Sequence, residues 1–249
     1  METYDVVILG ATFLSLGAAK VQKGKTLIID SKGKPGYEFI DAYHNGDNYA
    51  FTPQTPEGKA FRSFTEEQGL CQNVFIPEWT AYVSDWICKN NLSVLLFTTV
   101  LSVENHGDSK KITIFNSNGK QVIYAKKVID TVTHDYTKKT LNLVSYGECP
   151  EAFTPAMEVT PHDELFSLVS FDIPLECGMA QAKQILYTAW ENRPESCKNT
   201  TIAALSDTFY LKAANGFRQT AENQYEAPST FYDNPFMAFD KGVAIGGAL

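Results

Sequence analysis

The residues whose types and spacing speak most directly to chemistry are Gly10, Thr12, Ser15 and Asp30. Tyr4-Asp5-Val6-Val7-Ile8-Leu9 is a β-rich run of the kind that forms a strand buried on both faces of a parallel sheet. It stops at Gly10. Ala11 to Val21 are mostly small or apolar, which suits a helix packed closely on a sheet, and Gly24 is placed to end that helix. Thr26-Leu27-Ile28-Ile29 reads as a second buried strand closed by Asp30. A glycine permits the tight turn off the first strand. The helix N-terminus then turns backbone N–H groups and the positive end of its dipole toward a diphosphate. An acid ending the second strand accepts hydrogen bonds from ribose hydroxyls. Asp30 stands twenty positions after Gly10, where that acid is wanted. The order strand, glycine turn, helix, strand, acid predicts the opening βαβ unit of a dinucleotide-binding fold.

The glycine pattern departs from G-x-G-x-x-G, because Thr12 and Ser15 stand at its second and third glycine positions. Thr12 adds a side chain where a diphosphate would approach the backbone, and its hydroxyl offers a phosphate donor. Ser15 is small enough for close helix–strand packing. The unit reads either as a dinucleotide turn or as a βαβ unit with no ligand.

The elements that must hold this turn follow from the rest of the chain. Residues 31–56 are rich in Gly, Pro, Asp and Asn and read as loop, long enough to be functional. A helix is predicted from Pro56 to about Gln68, stopped by Gly69, and another from Glu78 to Lys89. In the second, Trp79, Val83, Trp86 and Ile87 share one face, the spacing of core packing. Val94 to Phe97 reads as a buried strand. Three alternating runs, about 100–104, 111–115 and 121–124, are joined by Gly107 and Asn118-Gly119 and predict an antiparallel meander. The meander leads into Ala125 to Asp130, a strand ending in Thr131-Val132-Thr133.

The segment Asn91 to Val100, the meander, and Ile123 to Asp135 resemble, in that order, the two-dinucleotide-fold flavoproteins, the broad FAD-dependent oxidoreductase family. The resemblance covers residues 4–30 and 77–136. It implies an α/β fold: a Rossmann-like FAD/NAD(P)-binding domain with a β-meander crossover and a smaller β-rich second domain. The implied division is 1–40, 77–150 and 241–249 in the dinucleotide-binding domain, with 41–76 and 151–240 as substrate or cap region. It also implies FAD as cofactor and hydride transfer between a small molecule and the flavin. By position, Gly10, Ala11, Thr12, Phe13, Leu14 and Ser15 would form the diphosphate turn. Asp30 would meet the adenosine ribose, Ser31 would lie beside the adenine, and Val100 would meet it through its backbone. Thr131, Val132 and Thr133 would stand near the cofactor. They replace the family's A-T-G, so a third glycine is missing, and the first helix is about one turn short.

Downstream, 166–172, 200–205 and 208–211 read as strands, Gly178 to Glu191 as a helix, and 215–240 as loop. In the resembled family a late strand precedes an acid for the ribityl chain and a further helix. Here 242–247 reads as that strand, with Gly246 and Gly247 as cofactor contacts, no acid, and no helix after it. Thr160-Pro161 before His162-Asp163-Glu164 reads as a helix start. His134 is the imidazole nearest the expected cofactor, and no catalytic residue is nominated.

The chain has 249 residues, 44% hydrophobic and 20% charged, which suits a globular protein and excludes disordered and collagen-like classes. Its net charge of −8, with lysines only in scattered pairs, gives no basic patch for nucleic acid. It has no membrane-length apolar run and no basic start of a secretion signal. Five spaced cysteines without C-x-x-C read as reduced thiols in a cytoplasmic protein, and no metal site is indicated. A small-molecule substrate and a protein partner both remain open. Three functions compete: an FAD-dependent oxidoreductase, a degenerate non-catalytic relative acting as a binding or scaffolding subunit, and an NAD-binding protein using the N-terminal unit alone.

Overall fold

The computed structural model describes residues 2–71, 74–147 and 152–249; of the five cysteines, Cys149 lies outside them. The chain opens with β1 (Glu2–Leu9), α1 (Phe13–Val21) and β2 (Thr26–Ile29), followed by α2 (Pro56–Glu67), α3 (Trp79–Lys89) and β3 (Val94–Leu95). The meander is β4 (Thr99–His106), β5 (Ser109–Asn116) and β6 (Gly119–Asp130). Next come β7 (Tyr136–Tyr146), β8 (Met157–Pro161), β9 (Phe166–Asp172), α4 (Met179–Glu191), β10 (Thr201–Leu205) and β11 (Tyr210–Ala213). The chain closes with β12 (Arg218–Ala221), β13 (Gln224–Glu226) and α5 (Pro235–Ala248).

One sheet runs β12-β13-β6-β1-β2-β3, with β4 and β5 continuing from β6. β1 pairs parallel with both β2 and β6, so β2, β1 and β6 end on the same side, with Leu9 opposite Ile29 and Asp130. β6 serves twice: its first half closes the antiparallel meander on β5, and its second half lies beside β1. This agrees with the predicted βαβ unit and meander. The second sheet runs β10-β7-β9-β8, with β11 also on β7. β7 is buried from Lys139 to Ser145. Leu141 and Leu143 face the cluster that holds Leu186 and Trp190 of α4, while Val144 belongs to the cluster around α1. Trp79 and Trp86 are core residues, as their spacing predicts.

The C-terminal expectation is overturned. Residues 242–247 are not a strand; they lie inside the fourteen-residue helix α5, and 215–240 is not loop but holds β12, β13 and the start of α5. The late strand is β13, parallel to the end of β6, and a helix does follow it. α5 is capped by Asn234, whose Oδ1 accepts the N–H of Met237 at 2.9 Å, and Pro235 follows as its first residue. Thr160-Pro161 starts no helix; it closes β8.

Glycines let α1 and α5 cross with their backbones in contact. A Cβ on Gly242 would lie 2.0 Å from the Leu14 carbonyl oxygen, and one on Gly17 would lie 2.0 Å from that of Phe239. Asp240, buried on α5, ties in α2: its Oδ1 accepts from Thr55 N at 2.8 Å and Thr55 Oγ at 2.6 Å. Phe61 of α2 stacks on Phe239 with ring centroids 4.4 Å apart. Gly242→Ala should therefore lower stability by about 3 kcal/mol, the upper end for overpacking. Gly247→Ala, with nothing within 4 Å, should raise it by about 0.5 kcal/mol through helix propensity. Urea midpoints of the two variants measure this; equal midpoints would rule out the close crossing.

Candidate functional site

A cavity of about 470 Å³ opens at the ends of β1, β2 and β6, the side of an open parallel sheet where ligands bind. It brings together Gly10, Asp30, Ser31, Val100, Thr131, Val132 and Thr133, all expected from the sequence. His134 lies at its rim, with Nε2 2.9 Å from Asp130 Oδ2; that contact raises the imidazole pKa above its ordinary value. Gly10 is needed on two counts. Its φ is +91°, and a Cβ there would fall 2.8 Å from Thr131 Oγ1. Gly246 and Gly247 do not join this site. They sit near the far end of α5, where Gly246 presses on Ala18 and its carbonyl accepts from Gln22 Nε2 at 2.7 Å.

The diphosphate turn is in place but its donors are taken. Ala11 N donates to Asp30 Oδ2 at 2.5 Å, and Asp30 Oδ1 accepts from Lys32 N at 2.8 Å. Thr12 is the N-cap of α1: its Oγ1 accepts from Ser15 N at 3.2 Å and donates to Thr131 Oγ1 at 2.8 Å. Thr131 Oγ1 in turn donates to the Leu9 carbonyl at 2.8 Å. Leu14 N reaches Ser229 Oγ at 3.4 Å. Phe13 N donates to Glu38 Oε1 at 2.8 Å, and Ser229 Oγ donates to the same oxygen at 2.7 Å. The Phe13 side chain points away into the core, against Phe39, Phe61 and Trp79.

No family model matches the sequence, and no curated protein matches it. Solved structures do match the fold. The p-nitrophenol 4-monooxygenase PnpA from Pseudomonas putida superposes with a TM-score of 0.58 at 14% identity, over 99% of this chain and 78% of that one. A geranylgeranyl bacteriochlorophyll reductase-like protein from Thermoplasma acidophilum gives 0.62 at 15% identity, over 99% and 77%. The myxobacterial chondrochloren halogenase CndH, described as a variant of FAD-dependent halogenases, gives 0.62 at 11% identity, over 100% and 72%. This chain has the flavoprotein oxidoreductase fold.

FAD in its extended form does not fit the flavoprotein fold as this chain builds it. A diphosphate at the start of α1 needs the free first-turn N–H groups that make a helix N-terminus an anion site. Here Phe13, Leu14 and Ser15 give theirs to Glu38, Ser229 and Thr12, and the Glu38 carboxylate occupies the anion position. A diphosphate would also meet the Asp30 carboxylate on the Ala11 N–H. Beyond the turn, side chains occupy part of the junction between the sheets, beside a cavity of about 270 Å³. His44 stacks on Tyr210 with centroids 3.6 Å apart, Phe39 packs 5.9 Å from the same ring, and Asn142 Nδ2 donates to the Ala42 carbonyl at 2.5 Å. Burial, with Lys138 and Lys212 nearby, drives the His44 pKa down to about 3, so the ring is neutral. After β13 come Ala227 and Pro228, neither of them an acid. Among the described residues, no group of three or more His, Cys, Asp or Glu is arranged to hold a metal. No helix among them is long and apolar enough to cross a membrane.

Glu38 is the residue that sequence reasoning misses. It lies in the turn-rich 31–56 segment, where no periodicity marks it. Its carboxyl is buried, which pushes its pKa up to about 7 against the pull of the Phe13 and Ser229 hydrogen bonds. An acid whose folded pKa lies above its unfolded value, ordinarily 4.5, stabilises the fold below that lower value and loses the contribution as pH rises through the folded one. The loss amounts to about 3 kcal/mol. Glu38→Gln keeps an acceptor for Phe13 N and cannot ionise. Melting temperatures of the variant from about pH 5 to 8 should therefore fall less steeply than those of the wild type. Parallel curves would show that Glu38 does not titrate in this range.

Proposed function

We propose that this chain is a non-catalytic ligand-binding relative of the flavoprotein oxidoreductases, one that keeps their fold and the cavity at the strand ends but does not carry FAD across α1. The observation that carries this reading is the Glu38 carboxylate hydrogen-bonded to Phe13 N, where a cofactor diphosphate would have to sit. The same donors serve the diphosphate of NAD, so the argument covers both dinucleotides. What remains is a cavity within the usual size range of small-molecule sites. Its walls combine apolar surface with hydroxyl and carboxyl groups.

The alternative, hydride transfer between a small molecule and FAD, is supported by Gly10, Asp30, Ser31, Val100, Thr131 and Thr133 all lining one cavity. It requires Glu38 to leave the start of α1 and the His44–Tyr210 stack to open. Visible absorption separates the two readings. The purified protein, mixed with FAD and desalted, should show no flavin bands. Retained bands would establish the cofactor and reject the non-catalytic reading.

A further inference from the structure

The same cavity carries a second signal, in the charge of its walls. Asp30 closes β2, Asp130 closes β6, and Glu38 comes from the segment over α1; all three line the cavity. Asp30 is 5% and Glu38 6% exposed. Around Glu38 stand the Phe13 N–H of α1, Ser229 from the segment before α5, the Tyr37 phenol beside it, and Asp30 and Asp130 across the cavity. Lys32 and His134 are the positive groups of the same lining. Lys32 is exposed, and His134 is paired with Asp130 at the rim.

Glu38 also has an unfinished side. Its Oε1 accepts two hydrogen bonds, whereas its Oε2 is buried with no hydrogen-bond partner. A buried acceptor left unmatched costs free energy, and a positive charge nearby offsets part of that cost. Two carboxyl groups walled off together hold their negative charge poorly, and burial raises both Asp30 and Glu38 from their ordinary values. A positive charge relieves that strain, and an anionic ligand adds to it. Ile29, Val100, Val132 and Leu211 give the rest of the wall an apolar character.

We propose that this cavity binds a compact organic cation, an ammonium group on a partly apolar body, with Glu38 as its principal counter-charge and Asp30 and Asp130 as flanking charge. The inference rests on the reading of the cavity as a ligand site free of diphosphate, and it adds the sign of the ligand.

A matched series tests it: tyramine, tyrosol and 4-hydroxyphenylacetate share one body and carry a positive, no, and a negative charge. Calorimetric titration of the full chain at about pH 8 should give tyramine an affinity at least about tenfold above that of 4-hydroxyphenylacetate, with tyrosol between. Glu38→Gln should bring tyramine to within about threefold of tyrosol. Should that variant fail to fold, Asp130→Asn at the rim should weaken tyramine by about twofold or more and leave tyrosol unchanged. No tyramine binding at millimolar concentration overturns the proposal. So do equal affinities across the series, or a charge preference that survives in the variants. Retention of FAD on desalting would instead remove the reading beneath it. Equal affinities across the series in a wild-type protein that also fails to retain FAD remove only the cation.

Discussion

The hydrogen bond from the Phe13 backbone to the Glu38 carboxylate is the interaction around which the ligand end of this molecule is arranged. The first turn of any helix presents N–H groups with no partner inside the helix, and a buried one must find an acceptor. α1 points those groups at the ends of β1, β2 and β6. Bringing a carboxylate there requires the chain after β2 to cross over the turn, and it does so with Gly36 N donating to the Ala11 carbonyl at 2.6 Å. It also requires the segment before α5 to deliver Ser229, which bridges Leu14 N and Glu38 Oε1. Three distant parts of the chain therefore meet on one helix end.

The second constraint is the distance between α1 and α5. Gly17 and Gly242 bring the two backbones into contact, and larger residues would push α5 away from α1. With α5 moved, Ser229 would lose its place against α1, and Asp240 would lose its hold on Thr55. The aromatic cluster of Phe13, Phe61, Trp79, Phe236 and Phe239 fills the space these helices leave. Packing and polar satisfaction therefore depend on each other here. The glycines fix the helix spacing, and the spacing fixes which side chains reach the start of α1.

Much of this frame was legible in the sequence. β1, α1 and β2 could be read because a continuous apolar strand, a glycine with positive φ and a terminal acid are local signals. The meander could be read because its strands alternate and its turns carry glycine. α5 could not: Gly242-Val243-Ala244-Ile245-Gly246-Gly247 is poor in helix-favouring residues and resembles an apolar strand. Its helical state comes from packing on α1, which a local pattern does not contain. β7 was equally hidden, since Lys139, Thr140, Asn142 and Ser145 are buried polar residues in a central strand. Lys139, Asn142 and Ser145 offset that cost with partners, as Asn142 Nδ2 does with the Ala42 carbonyl, while Thr140 Oγ1 and Asn142 Oδ1 are buried with no hydrogen-bond partner. Glu38 lay furthest from view, because its role depends on a fold in the 31–56 segment that has no periodicity at all. The sequence nonetheless held a sign of it in Thr12 and Ser15, which replace the glycines a diphosphate would need.

Those two replacements and Glu38 form one physical solution. Removing glycines alone would leave α1 with buried, unmet donors. Thr12 Oγ1 accepts from Ser15 N and donates its hydrogen bond to Thr131 Oγ1, while Glu38 and Ser229 meet the two donors before Ser15. A dinucleotide that binds only the folded state stabilises it in proportion to its concentration. A carboxylate carried by the chain itself is present at every concentration, so the helix end is satisfied without a cofactor. The cost is a carboxyl held in a buried site with one oxygen unmatched. That cost falls on a residue of the cavity wall. The substitution that closes the diphosphate position thus leaves, a few atoms away, a group whose chemistry favours a different kind of guest.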